Sequence, residues 1–238
     1  MSLPETSGLL GPTGAVTLNL IRGGRGTAPE WPLRPVTLGD IATHALPRRG
    51  LPDHVNQWRL RNTRHLWRGF HKIMAARALH VPHMYGQLWL TVFRGDGTVD
   101  ELGLASLRVV TDVGVQFIVD AFQNTTELEN LKFHGYGTGG AAEAVGNTAL
   151  TTEETTQYVS DNVRPTGSTT EGASANIYRT VATYSPDSGG TRAITEHGVF
   201  SATSAGTLLD RSLFSTVNLV ASSDSLQTTY DCTFSSGG

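Results

Sequence analysis

The chain has 238 residues, with 16% charged, 38% hydrophobic and a formal net charge of −3. That length suits one large domain, or one β domain behind a smaller N-terminal region, and buries a core of ordinary size without staples. The single cysteine, Cys232, excludes an intramolecular disulfide and a zinc site built on several thiolates.

Other exclusions follow from the order of residues. No run approaches the roughly 18 apolar residues of a spanning helix. The opening MSLPETSGLLGPTGAV lacks the basic-then-apolar layout of a secretory signal. Synthesis in a reducing cytoplasm and assembly there are expected. Charge is unevenly placed: residues 1–77 hold 11 Lys and Arg against 4 Asp and Glu, and residues 78–238 hold 7 against 17. The two parts carry opposite fields, suited to binding an acidic surface or to pairing one subunit's front with the next one's back.

Residues 1–55 are rich in Gly and Pro and show no sustained period, so they read as an extended N-terminal arm ordered against a partner. Trp31, Leu33 and Val36 are its candidate anchors. Residues 56–85 read as a short basic amphipathic helical segment. Trp58, Leu66, Trp67, Phe70, Ile73 and Met74 recur at helical spacing, Gly69 weakens the helix and Pro82 ends it. Arg64, Arg68 and Lys72 belong to its basic complement. The plainest reading of these cations is a solvated face of a helix packed on the β domain. Docking of a protein partner comes next, and nucleic acid last.

Residues 86–238 read as an antiparallel β-sandwich with one short helix, so the fold class is mainly β. A hairpin turns at Gly95-Asp96-Gly97. A helix is expected over Asp112–Asn124, capped by Asp112 and buried through Val115, Ile118, Val119 and Phe122. A strand at Glu129–Gly135 follows. Residues 135–172 read as polar surface loops, with a short strand near Ala149–Glu153. Four strands close the chain: Asn176–Tyr184, Arg192–Ser201, Leu208–Val220 and Ser225–Phe234. In the last, Leu226, Thr228, Tyr230, Cys232 and Phe234 form a buried face, and Gln227, Thr229, Asp231 and Thr233 a wet one.

Motifs for chemistry are weak. Gly135-Tyr136-Gly137-Thr138-Gly139-Gly140 fits GxGxxG in form, but no long helix and no βαβ alternation follow. Arg94-Gly95-Asp96 is turn chemistry. A calcium loop starting at Asp96 lacks its glycine and its final glutamate. The eight histidines form no HExxH, and His134 and His197 read as structural, bonded at a subunit contact. Glu153-Glu154 reads as a solvated pair. No nucleophile, base, metal ligand or cofactor is nominated, so the expectation is a protein without enzymatic activity.

From Gly103 onward the chain resembles a family of tailed-phage virion structural proteins. The residues that carry the resemblance are LASLRVVTDVGVQFIVDAFQN, LENLKFHGYGTGGAAEAVGNTALTTE, VRPTGSTTEGASANIYRTVATY, ITEHGVFSA and GTLLDRSLFSTVNLVASSDSLQTTYDCTFSSGG. The resemblance implies a virion part and a non-enzymatic role. A capsid decoration or cement protein that grips the major capsid protein, as a homo-oligomer such as a trimer, is the favoured expectation. A tail, baseplate or fibre-base protein is the first alternative, and a receptor- or carbohydrate-binding module the second. No membrane and no nucleic-acid partner are expected.

Overall fold

A computed structural model describes residues 26–158, 162–171 and 175–236. Residues 1–25 of the expected arm lie outside the described residues. Among the described residues the elements run α1 (Leu38–Ala45), α2 (Asp53–Ala78), β1 (His83–Phe93), β2 (Val99–Val109), α3 (Asp112–Phe122), a 3-10 turn at Leu128–Asn130, β3 (Phe133–Gly137), β4 (Ser168–Glu171), β5 (Ile177–Tyr184), β6 (Arg192–Phe200), β7 (Leu208–Leu219) and β8 (Ser225–Ser235).

The fold is mainly β, a sandwich of two antiparallel sheets. One has the order β2-β1-β8-β5-β4 and the other β3-β6-β7. The β1–β2 hairpin turns where expected. Arg94 N–H donates to Thr98 O at 2.9 Å, Asp96 Oδ1 accepts from Thr98 N–H at 2.9 Å, and Gly97 takes a φ of +89°.

β1 shows why one sandwich has two cores. Leu88, Leu90 and Val92 point between the sheets, toward Val199, Leu209, Val217 and Tyr230. Tyr85 and Trp89 point the other way and meet Val36, Ile41, Leu66, Phe70 and Ile73. The period of two serves both faces because α1, α2 and the segment before them form a third layer over the larger sheet. The expectation of a wet face on β8 is corrected: Thr229, Asp231 and Thr233 are buried. Their polar atoms are tolerated because partners sit opposite. Gln87 Nε2 donates to Thr233 Oγ1 at 2.9 Å, and Arg179 pairs with Asp231 at 2.6 Å.

Several boundaries differ from the sequence reading. The expected extended arm contains α1, started by a capping box in which Thr37 and Asp40 satisfy each other's backbone N–H. The basic segment is a 26-residue helix, and residues 83–85 already belong to β1. The expected strand at Ala149–Glu153 is a single bridge, Gly137 to Glu153. α3 is capped by Thr111 rather than Asp112. It buries Gly114, Phe117 and Ile118, and leaves Val115, Val119 and Phe122 exposed.

α2 closes the open side of the sandwich, where edge strands β2 and β7 meet. Asn62 Nδ2 donates to Ala105 O at 2.8 Å and Asn62 Oδ1 accepts from Ser215 N–H at 2.8 Å, so one buried amide joins the two sheets. Trp58 Nε1 donates to Ser215 O at 2.7 Å. Gly69 is required by close approach: a Cβ there would lie 1.9 Å from Leu107 O. The residue that weakens the helix is the one that lets it lie on β2.

Candidate protein-docking surface

α2 is two-faced because its inward residues recur every three or four positions: Val55, Trp58, Asn62, Leu66, Gly69 and Ile73 are buried. The outward face presents Arg61, Arg64, Arg68 and Lys72, all exposed. At 1.5 Å rise per residue this stripe is about 16 Å long. None of these four cations is in an ion pair among the described residues. Large apolar groups flank it: Leu60, Trp67 and Met74 are exposed, with Trp67 39% accessible and packed edge-on to Phe70 at 5.9 Å. A cleft of about 510 Å³ runs between Arg61, Arg64 and the β7 residues Thr216 and Asn218.

A second cleft, of about 580 Å³, adjoins Arg61 at the hairpin tip. Its acids are already satisfied. Asp100 meets His54 at 2.8 Å and Arg94 at 2.8 Å, and Arg94 also meets Asp224 at 3.1 Å. Asp96, the third acid there, accepts from Thr98 and is in no ion pair among the described residues, so the unpaired positive charge beside this cleft is the cationic stripe of α2.

The expected arm anchors are used within the chain. Val36 is buried in the outer core. Trp31 stacks on Trp89 with centroids 5.2 Å apart and an interplanar angle of 16°. Arg179 fastens the strap by donating to Trp31 O at 3.0 Å and Pro32 O at 3.1 Å while it pairs with Asp231. Leu33 is half-buried. Of the six candidate binding residues, Arg64, Arg68 and Lys72 form one exposed surface, and Trp31, Leu33 and Val36 lie elsewhere.

Residues of β6, β7 and the segment after β3 form the internal framework. Glu196 and Arg211 are buried and paired at 2.6 Å. Glu196 accepts backbone N–H bonds from Gly139, Thr151 and Thr152 at 2.8–3.1 Å. Arg211 donates to Ala141 O at 3.0 Å and Thr151 Oγ1 at 2.7 Å. The pair thus fixes the segment GTGGAAEAVGNTAL, and Gly139 must be glycine because a Cβ would lie 2.3 Å from Glu196 Oε1. The reading of residues 135–172 as surface loops needs correction here. Tyr136, Leu150, Tyr158 and Arg164 are buried, and Glu153 is half-buried against Arg164 at 2.5 Å.

His134 and His197 are structural, as expected, but they are bonded within the chain rather than at a subunit contact. They lie in the core, with His134 Nδ1 2.9 Å from His197 Nε2 and His134 Nε2 3.1 Å from Thr180 Oγ1. Burial holds both neutral, lowering His134 to about 3 and His197 well below its usual value. No group of three or more His, Cys, Asp or Glu placed to hold a metal occurs among the described residues.

Sequence reasoning missed Asn62, which had no apolar or charged signature, and Glu196 with Arg211. Their signal was charge inside strands that are otherwise largely apolar, Glu196 in ITEHGVF and Arg211 next to Asp210 in LLDRSLF. No protein-family model matches the chain, and no curated protein matches it.

Proposed function

We propose that this chain is a structural subunit of a tailed-phage virion that works by docking on other protein subunits, without catalysis. The observation that carries the docking reading is the α2 stripe: four exposed cations, in no ion pair among the described residues, beside exposed Trp67 and Met74. Cations alone would fit any anionic surface. Large apolar and aromatic groups beside them favour a protein partner, where such residues anchor the interface centre and charges form its rim. The virion assignment rests on the sequence resemblance over Gly103 to the C-terminus.

Within the virion, a capsid decoration or cement role is favoured, with the major capsid protein as partner and a homo-oligomer such as a trimer as the unit. A tail, baseplate or fibre-base position is the alternative. Receptor or carbohydrate binding through residues 135–172 loses support, because Tyr136 and Tyr158 are buried. The test is incorporation of the triple variant Arg64→Ala, Arg68→Ala, Lys72→Ala into particles. Its incorporation should fall, and wild-type attachment should weaken as salt rises. Full incorporation of the triple variant would remove α2 as the docking surface.

A further inference from the structure

Two exposed faces of this molecule are opposite in charge and alike in carrying uncovered apolar groups. One is the α2 face already described. The other is formed by α3 and the 3-10 turn after it. Residues 112–130 carry Asp112, Asp120, Glu127 and Glu129 and no Lys or Arg. None of these acids is in an ion pair among the described residues. Between them, Val115, Val119 and Phe122 recur at i, i+4 and i+7 on the outside of α3, and Phe122 is 83% exposed. Beside them an apolar groove of about 300 Å³ opens between Ile118, Leu128, Tyr178 and Phe234, with Glu129 on its rim.

We propose that a second copy of this chain docks its basic α2 face on this acidic, apolar α3 face. The inference rests on the reading of α2 as a docking surface and names the partner. Charge complementarity selects the pairing. α2 against α2, or α3 against α3, would set like charges together, which disfavours a two-fold dimer through either face. α2 against α3 joins opposite fields and covers Trp67 and Met74 on one copy together with Val119, Phe122 and the groove on the other. The contact is heterologous, so each added copy leaves one face of each kind free. Association then continues until a ring closes or a filament forms.

The experiment is sedimentation velocity on the full chain. Mass should rise with protein concentration at low ionic strength, and association should weaken in about 1 M salt, where charges are screened beyond about 3 Å. Two variants separate the faces: the triple Ala variant of Arg64, Arg68 and Lys72, and a double variant, Val119→Ser with Phe122→Ser. All five positions are exposed, so circular dichroism should show an unchanged fold. Each variant alone should associate about tenfold more weakly or not at all. Mixed in equal amounts they should give a one-to-one dimer and nothing larger, since each retains one working face. A chain that stays monomeric at every concentration in low salt would overturn the proposal. So would association indifferent to both variants, or a mixture that forms no dimer. Loss of particle incorporation by the triple variant, in a chain that remains monomeric, would leave α2 as a docking surface for another protein and sink only the self-docking.

Discussion

Asp210 gives the sharpest quantitative prediction. It lies on β7, fully buried, with Oδ1 accepting from Ser212 Oγ at 2.9 Å and Oδ2 without a hydrogen-bond partner among the described residues. The titratable and charged groups around it are Arg108, Glu143, Tyr230 and Cys232. Arg108 favours the carboxylate but is itself engaged by Glu143. Burial dominates and raises Asp210 from the usual 3.8 to about 7. The folded state therefore holds this proton more tightly than the unfolded state. The associated stability is fully present below about pH 4, declines as pH rises, and is lost above about pH 7. At about 1.4 kcal/mol per tenfold in affinity, the full loss is on the order of 4 kcal/mol. Asp210→Asn keeps Oδ1 for Ser212 and cannot ionise. It should leave stability nearly unchanged at pH 4 and raise it above pH 7 by a few kcal/mol, or roughly 10 °C in melting temperature. Urea titrations of both proteins from pH 4 to 9 measure this, and the difference between them cancels groups common to both, such as His134 and His197. Parallel stability curves, with no growth in the difference between pH 5 and 8, would refute the burial argument.

Other predictions follow from single contacts. Arg211→Met leaves Glu196 buried with its cation removed and should cost about 3–5 kcal/mol, with early hydrogen exchange at the Thr151 and Thr152 amides. Gly69→Ala should destabilise despite alanine's better helix propensity, because its Cβ would meet Leu107 O at 1.9 Å; a cost of about 1–3 kcal/mol is expected from denaturant titration. Ile41→Ala, in the outer core, should cost about 2–5 kcal/mol. A near-neutral result there would show that α1 is a detachable arm rather than part of the fold.

Much of the fold was legible because its signals are local. β5 to β8 alternate clearly and are bounded by Gly, Ser and Asp turns, and their observed ends fall within a residue or two of the sequence reading. α1 was missed because Gly and Pro around it masked eight helical residues, although Thr37 and Asp40 at capping-box spacing marked its start. α3 was found but turned the wrong way. DVGVQFIVDAF is apolar on more than one side, so periodicity alone could not decide which side the sheet would cover. The second buried face of β8 was illegible, since Thr229, Asp231 and Thr233 look solvated until Gln87 and Arg179 are placed opposite them. For the candidate docking surface, the clustering of Arg64, Arg68 and Lys72 was readable, because one helix positions all three. Trp31 and Val36 looked like anchors for a partner, and are anchors for the chain's own outer sheet face.

Docking of this chain on other subunits of a virion remains the proposal to be tested. The most direct test is localisation of an affinity-tagged chain in purified particles by cryo-electron microscopy. If the proposal holds, label density falls at fixed, repeated positions, on the head lattice for the favoured decoration role, with α2 at a subunit contact. Particles that contain none of this chain would contradict it.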